Sequence, residues 1–304
     1  MISPFVRRLR LGSELRALRS AAGLTHEQVA KRIGVSRAQV SRLENGHAAD
    51  QADVMKILDA LGADPDRWTL VMTITREAGE KGWWETTRGI GGRQALVANL
   101  EAGAARIRQY QQTFIPGLLQ TPEFAAARAA ATPELEPLEG TAAGVLEGRA
   151  GRQRMLRRPG APSYEVIIDE LAIRRLAAPP AVVKKQLFHL ATAGNGQPAV
   201  GLRVLPVQAR IEGYAVPRCS FSIYDYPDPG DPAVVAVDTV TSDVIVTDPA
   251  ATAPYDQLYA RLAAAALDPA RSLDLITTHA TELPEDESLA GLVNPAGQAG
   301  RGAS

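Results

Sequence analysis

The chain has 304 residues, of which 45% are hydrophobic, enough for two cored domains at about 150 residues each. Its single cysteine, Cys219, excludes an intrachain disulfide and suits a reducing cytoplasm. The formal net charge is −1, but residues 1–60 carry ten Lys/Arg against six Asp/Glu while the rest carries 23 against 28, a basic head on an acidic body.

No apolar run approaches the roughly 18 residues of a membrane-spanning helix. None follows Arg7, Arg8 and Arg10 as a secretory signal would require. Abundant Ala and Arg with scarce Lys point to a GC-rich bacterial source. In chain order, the spacing predicts a first helix over residues 4–22, with Leu11, Leu15 and Leu18 as its apolar stripe. Thr25 and Gln28 make a capping-box pattern. Val29, Ala30 and Ile33 share one face of the next helix, and Gly34 ends it. Val35 turns inward, Ser36 caps a further helix, Val40 and Leu43 face its core side, and Gly46 stops it. Two short helices around a Gly-centred turn have helix-turn-helix geometry, in which the second helix enters the major groove of DNA. Arg37 and Arg42 can each donate paired hydrogen bonds to guanine, and Ala38 allows close approach and contact with a thymine methyl. Ser36, Ser41 and Asn45 suit phosphate oxygens. A helical hairpin with a merely solvated polar face has the same spacing, so periodicity alone leaves that reading open. Helices over 51–61 and from 64 onward, with Val54, Ile57, Leu58, Trp68 and Val71 inward, complete five helices in residues 1–75.

Over residues 9–65 this region resembles the Xre-type regulators, the family of phage repressors and Cro. The resemblance is carried by Leu15, Leu18 and Arg19; Gly23, Leu24 and Thr25; Val29 and Ala30; Gly34, Val35 and Ser36; and Leu43, Glu44, Asn45 and Gly46. It implies that Arg19 and Glu44 form a largely buried ion pair with a structural role. It also implies a glutamine at position 26, bracing the recognition helix and touching phosphate or base. His26 departs from that pattern; a supporting role on DNA and an ordinary surface histidine both fit it.

Residues 76–92 read as a connection, with turn chemistry at 81–84 and 89–92. No strand precedes the glycines there and no phosphate-loop fingerprint is complete. Leu96, Leu100, Ala104 and Ile107 predict a helix over 93–110. A turn at Pro116 and Gly117, a helix opened by Thr121, Pro122 and Glu123, and an arginine-rich helix over 142–157 follow. Val166, Ile167 and Ile168 read as a buried strand, followed by helices over 169–177 and 181–191. Short β-branched runs at 200–206, 219–226, 233–237 and 243–246 predict a small antiparallel or mixed sheet, closed by helices over 255–267 and 269–281. The expected fold has two domains: an all-α five-helix head, and an α+β regulatory and dimerisation domain over 93–282. Residues 283–304 are expected to form a disordered tail.

The second domain resembles the C-terminal domain of WhiJ-like actinobacterial regulators, which follows an Xre-type head in many Streptomyces proteins. The matching pieces are Trp83 and Trp84; Glu101, Ala104 and Tyr110; the block 115–124; 152–156; 169–175; Gln186 and Leu187; and 204–206. The resemblance implies a transcription regulator, of a kind often encoded beside small partner proteins. It supplies no ligand or activity. Read from the residues alone, Trp83, Trp84, Tyr110 and Phe114 could line an effector pocket. Arg152 and Arg154, near Glu170, could hold an anion. Core aromatics and structural ion pairs are the commoner use of such residues.

His26, His47, His189 and His279 have no metal-ligand spacing, and no paired cysteine or catalytic motif occurs. No enzyme activity, metal or cofactor is therefore expected. The reading is a cytoplasmic, nucleoid-associated transcription regulator that binds double-stranded DNA as a homodimer. It would read a (pseudo)palindromic operator through residues 36–46, with the second domain sensing a small-molecule effector or a small partner protein. The alternative is a protein-interaction module whose main task is to bind a small partner protein.

Overall fold

The computed structural model describes residues 2–131, 140–196, 199–239 and 242–284. The expected tail, beyond Pro284, lies outside the described residues. The head consists of α1 (Pro4–Ala21), α2 (His26–Ile33), α3 (Arg37–Glu44), α4 (Gln51–Leu61) and α5 (Pro65–Ala78). Each helix begins where the sequence supplies a short oxygen-bearing side chain. Ser3, Thr25, Ser36, Asp50 and Asp64 each accept a hydrogen bond from a first-turn N–H, satisfying donors that the helix itself leaves open. Gly34 ends α2 in the left-handed region at φ 74°, where a side chain would be strained. Leu11, Leu15, Val29, Val40, Leu43, Val54, Ile57, Leu58, Val71 and Ile74 close into one core. Helices α1 and α3 cross almost backbone to backbone at Gly12, where a Cβ would stand 2.6 Å from the Glu44 carbonyl oxygen.

Helix α1 belongs to two cores. Its later turns lie in the head, whereas Val6 is buried with Leu100 and Ile107 of the second domain. Asn99 Oδ1 accepts from Ser3 Oγ at 2.8 Å and from the Phe5 N–H at 3.1 Å. One turn later, Arg7 and Arg10 reach the loop 227–231. Arg7 Nη1 lies 2.9 Å from Asp231, and Arg10 Nη1 lies 2.5 Å from Asp228. Arg7 Nε also meets Glu77 of α5 at 3.0 Å. The Gly230 N–H, then Arg10 and Arg7, hold the Asp228 carboxyl down at about 2. Burial pushes the Asp231 carboxyl up despite the same arginines.

The second domain contains α6 (Trp83–Thr86), α7 (Gly92–Gly103), β1 (Arg106–Gln111), α8 (Pro122–Ala131), α9 (Ala142–Met155), β2 (Ser163–Asp169), α10 (Glu170–Arg174), α11 (Pro180–Gly196), β3 (Val200–Leu205), β4 (Phe221–Asp225), β5 (Val234–Val237), β6 (Val244–Val246), α12 (Pro249–Ala265) and α13 (Pro269–Glu282). Its sheet is six-stranded and mixed, in the order β3-β2-β1-β4-β5-β6. Strands β1, β2 and β3 are parallel, and β4, β5 and β6 add antiparallel beside β1. One face, with Ile107, Tyr164, Val166, Ile168 and Leu202, packs beneath residues of α7, α9, α11 and α13. The other, with Tyr110, Ile167, Phe221, Ile223 and Val235, packs against Tyr259 and Leu262 of α12.

The helix expected over 93–110 is corrected here: α7 stops at Gly103, and residues 106–111 are the strand at the centre of the sheet. The reason is a competing period of two. Ile107 and Tyr110 face opposite cores, while the strand's two arginines are neutralised across the ladder. Arg106 Nε meets Glu165 on β2 at 2.7 Å, and Arg108 Nη2 meets Asp225 on β4 at 2.9 Å. Four residues in helical register look alike under either period until those partners are known.

Candidate nucleic-acid interface

The interface is built from α2, its turn and α3. The Thr25 hydroxyl accepts from the Gln28 N–H at 3.3 Å, and Gln28 Oε1 accepts from the Thr25 N–H at 2.8 Å, closing the capping box. The Val35 N–H donates to the Ala30 carbonyl at 3.1 Å, and Ser36 Oγ accepts from the Gln39 N–H at 3.1 Å. These bonds aim α3 so that Val40, Leu43 and Glu44 are buried while Ser36, Arg37, Ala38, Gln39, Arg42 and Asn45 are exposed and Ser41 is half-buried. Among the described residues, the Arg37 and Arg42 guanidiniums have no side-chain partner, so their donors face water. That outer face can offer paired N–H groups to a guanine edge and a small apolar surface to a thymine methyl.

Behind this face, one carboxylate ties three helices together. Glu44, at the end of α3, has a side chain only 3% exposed. It accepts from Arg19 Nε at 2.6 Å and Nη2 at 2.8 Å, a bidentate pair. His26 Nε2, from the first turn of α2, lies 3.0 Å from Glu44 Oε2. Burial alone would raise the Glu44 carboxyl, but the hydrogen bonds from Arg19 and His26 outweigh it and hold the group below its ordinary range. The structure therefore turns His26 toward Glu44, bracing α2 against α3.

Arg16 is a participant that the sequence reasoning missed. Its Nη2 donates to the Glu44 carbonyl and to Asn45 Oδ1, each at 3.0 Å. Asn45 Nδ2 in turn faces Ser41 Oγ at 3.4 Å. Asn45 and Ser41 thus have intramolecular partners at the end of α3. The available signal was that Arg16 stands one helical turn before Arg19, on the same side of α1. Gln39 was also passed over; its side chain pairs with Asp53 of α4.

Of the candidates in the second domain, Trp83, Trp84 and Arg152 lie near one another, whereas Tyr110 and Arg154 stand apart. Trp84 is buried, and Trp83 meets it edge to face with ring centroids 5.9 Å apart. Tyr110 is fully buried on the α12 face of the sheet, where its hydroxyl donates to Asp169 Oδ2 at 3.0 Å. Burial, then Asp169, pushes that hydroxyl well above its ordinary range. Arg152 lies under the opposite face, bidentate to Glu101 at 2.6 and 2.9 Å and bonded to Gln94 at 2.8 Å. Burial opposes its charge, but Glu101 overrides this and holds the guanidinium above its ordinary value. Glu170 pairs with Arg174 instead, and Arg154 is exposed. The gap bordered by Trp83, Glu101, Arg152 and Arg158 is about 10 Å³, room for no more than one water.

Two family matches accompany this geometry. A family described as a helix-turn-helix domain matches residues 10–69. A family described as a domain of unknown function (DUF5753) matches residues 94–278, more than half of the chain. No curated protein and no solved structure matches. The head is accordingly a helix-turn-helix of the DNA-binding kind. Among the described residues, no helix is long and apolar enough to cross a membrane.

Proposed function

The chain belongs to the DUF5753 family behind a helix-turn-helix head, and from that premise we propose that it is a sequence-specific transcription regulator acting as a homodimer on double-stranded DNA. The observation that carries this reading is the division of α3. Val40, Leu43 and Glu44 are buried, while Arg37, Ala38 and Arg42 stand free on its outer face. In this reading Arg37 and Arg42 contact base edges, Ala38 lets the helix approach, and the α3 N-terminus near Ser36 meets phosphate. His26, Ser41 and Asn45 support α3 through bonds within the chain. The proposal extends to an Xre-type head and a WhiJ-like body, which the motifs set out above support.

One recognition helix of eight residues covers too little DNA for tight specific binding. Two copies on half-sites about 34–36 Å apart meet that need. The body supplies the dimer contacts and the regulatory input. Because α1 is anchored in both cores, a change at the loop 227–231 acts on the head through Arg7 and Arg10 rather than through a slack linker.

Replacing Arg37 with Ala should weaken operator binding by about 1–3 kcal/mol and relax selectivity at one base pair. Quantitative binding to a selected operator and to its single-base variants measures both. Unchanged affinity together with unchanged selectivity would overturn the assignment of this face.

A further inference from the structure

A cavity of about 300 Å³ opens beside the C-terminal end of α12, at the lower end of the roughly 300–1,000 Å³ usual for small-molecule sites. One wall is the turn 210–214. The other is the end of α12, with Arg261, Ala264 and Ala265. Ile211 and Ala265 pack against the core around Tyr110 and Phe221, so the cavity has a firm apolar floor. None of Trp83, Trp84, Tyr110 and Phe114 borders it.

The turn Glu212–Tyr214 holds two successive residues in the left-handed region, Gly213 at φ 67° and Tyr214 at φ 54°. Glycine adopts that conformation freely, whereas a bulky aromatic residue there is strained. Among the described residues, Tyr214 is the only non-glycine with a positive φ. Burial does not offset the strain, because Tyr214 is 77% exposed. Strain of this kind collects at binding sites. Here it displays the Tyr214 ring at the cavity, with the Arg210 guanidinium 5.5 Å from its centroid and Arg210 Nη2 donating to its hydroxyl at 3.3 Å. Arg261 reaches over the same turn, where a Cβ on Gly213 would stand 3.6 Å from its Nη1. Among the described residues, neither Arg210 nor Arg261 has an acidic partner, whereas the exposed Arg106 and Arg174 pair with Glu165 and Glu170. Glu212 is the one acidic residue of the lining, so two guanidiniums face a single carboxylate.

We propose that this cavity binds a planar aromatic anion, a small ring system bearing a carboxylate or phosphate group. The floor of Ile211, Ala264 and Ala265 takes the ring system, and Tyr214 stacks on it. Arg261 and Arg210 take the anionic group through charge-assisted hydrogen bonds. One turn and one helix end make up the whole lining, which fits a molecule of one or two rings rather than a protein surface. Its service as a regulatory input rests on the reading of the body as the regulatory domain. Binding is measured without DNA, so the site stands or fails apart from that reading.

The test titrates the full chain with naphthoate and, separately, naphthyl phosphate, by calorimetry and by thermal shift, with acetate and the neutral naphthalene methanol as controls at matched ionic strength. The wild type should bind at least one aromatic anion more tightly than either control, and the tighter anion identifies the acidic group. Arg261→Met and Arg210→Met should each weaken that binding about threefold to tenfold, and Glu212→Gln should strengthen it. Ala264→Phe should abolish binding by filling the floor. Tyr214→Gly should lose affinity while folding at least as stably, because glycine relieves the strained φ. Arg210, Tyr214, Arg261 and Ala264 are all exposed, so these variants should keep the fold. Failure of both aromatic anions to bind the wild type, equal binding of naphthalene methanol, or unchanged affinity in both arginine variants overturns the proposal. Loss of the fold in Arg261→Met also overturns it, by making that guanidinium structural.

Discussion

The head and the second domain each bury an arginine against a glutamate, and they do so over different distances along the chain. Arg19 and Glu44 are 25 residues apart, on helices whose order and turns are set locally. Arg152 and Glu101 are 51 residues apart, on α9 and α7, with the central strand between them in the chain. In the head, the pair sits behind the outer face of α3 and shares its carboxylate with His26. In the body, Gln94 joins the pair, and the Tyr164 and Tyr224 hydroxyls are raised chiefly by burial, with Glu101 adding. A locally assembled site can be read from spacing. A site assembled by the sheet depends on which strand lies beside which.

This contrast makes the body pair the more damaging one to remove. Glu101→Ala should cost about 3–5 kcal/mol, because it leaves the Arg152 guanidinium buried without its anion. Denaturant unfolding measures the loss, and a change below about 1 kcal/mol would show the interior to be wetter than its burial implies. Glu44→Gln should cost less, about 1.5–3 kcal/mol, since glutamine keeps an acceptor oxygen and Arg19 and His26 are more exposed than Arg152. It should also change the acid limb of stability. The folded Glu44 carboxyl lies below its ordinary value of 4.5, so the folded state favours the ionised form. The stabilisation is present above 4.5 and fades as pH falls from there through the lower folded value. The stability gap between wild type and Glu44→Gln should therefore narrow on acidification. A gap constant down to strongly acidic pH would contradict the proposed charge pairing.

Gly12→Ala should cost about 1–3 kcal/mol by overpacking, because its methyl group would meet the Glu44 and Leu43 carbonyls at 2.6 and 2.9 Å. The added strain should also weaken DNA binding, by tilting α3 away from α1. Asp228→Asn should have the smallest effect, below about 1 kcal/mol, because that carboxylate is about a third exposed. Its consequence should appear between the domains. Amide exchange in the first turns of α1 should quicken while the core of the head stays protected. Unchanged exchange there would mean that Asn99, Val6 and the pairs to Asp231 hold α1 to the body without Asp228.

Most of the head was legible because its signals are close in sequence. Thr25 with Gln28, Gly34 with Ser36, and Val40 with Leu43 act within one or two turns, where backbone hydrogen bonding and a 3.6-residue period decide the outcome. Arg16 escaped notice because its acceptors, the Glu44 carbonyl and Asn45, are brought to it only by the crossing of α1 and α3. In the body, β2 and the later strands announced themselves through Val, Ile and Phe, whereas β1 did not. Its sequence, Arg-Ile-Arg-Gln-Tyr-Gln, has few strand-formers and needs acidic partners on both neighbouring strands to tolerate its charges at the centre of a sheet.

Residue types and spacing alone established the caps of α2 and α3, the turn between them and the apolar stripes of the head helices, and with them the outer face of α3, because these follow from backbone geometry within a few residues. Folding in three dimensions decided what spacing cannot encode. It made residues 106–111 a central strand, carried α1 into two cores, turned His26 inward to Glu44 and gave Arg152 its carboxylate. Each of these depends on the electrostatic environment that distant segments create when they pack together, and a charge is stable or costly only in relation to that environment.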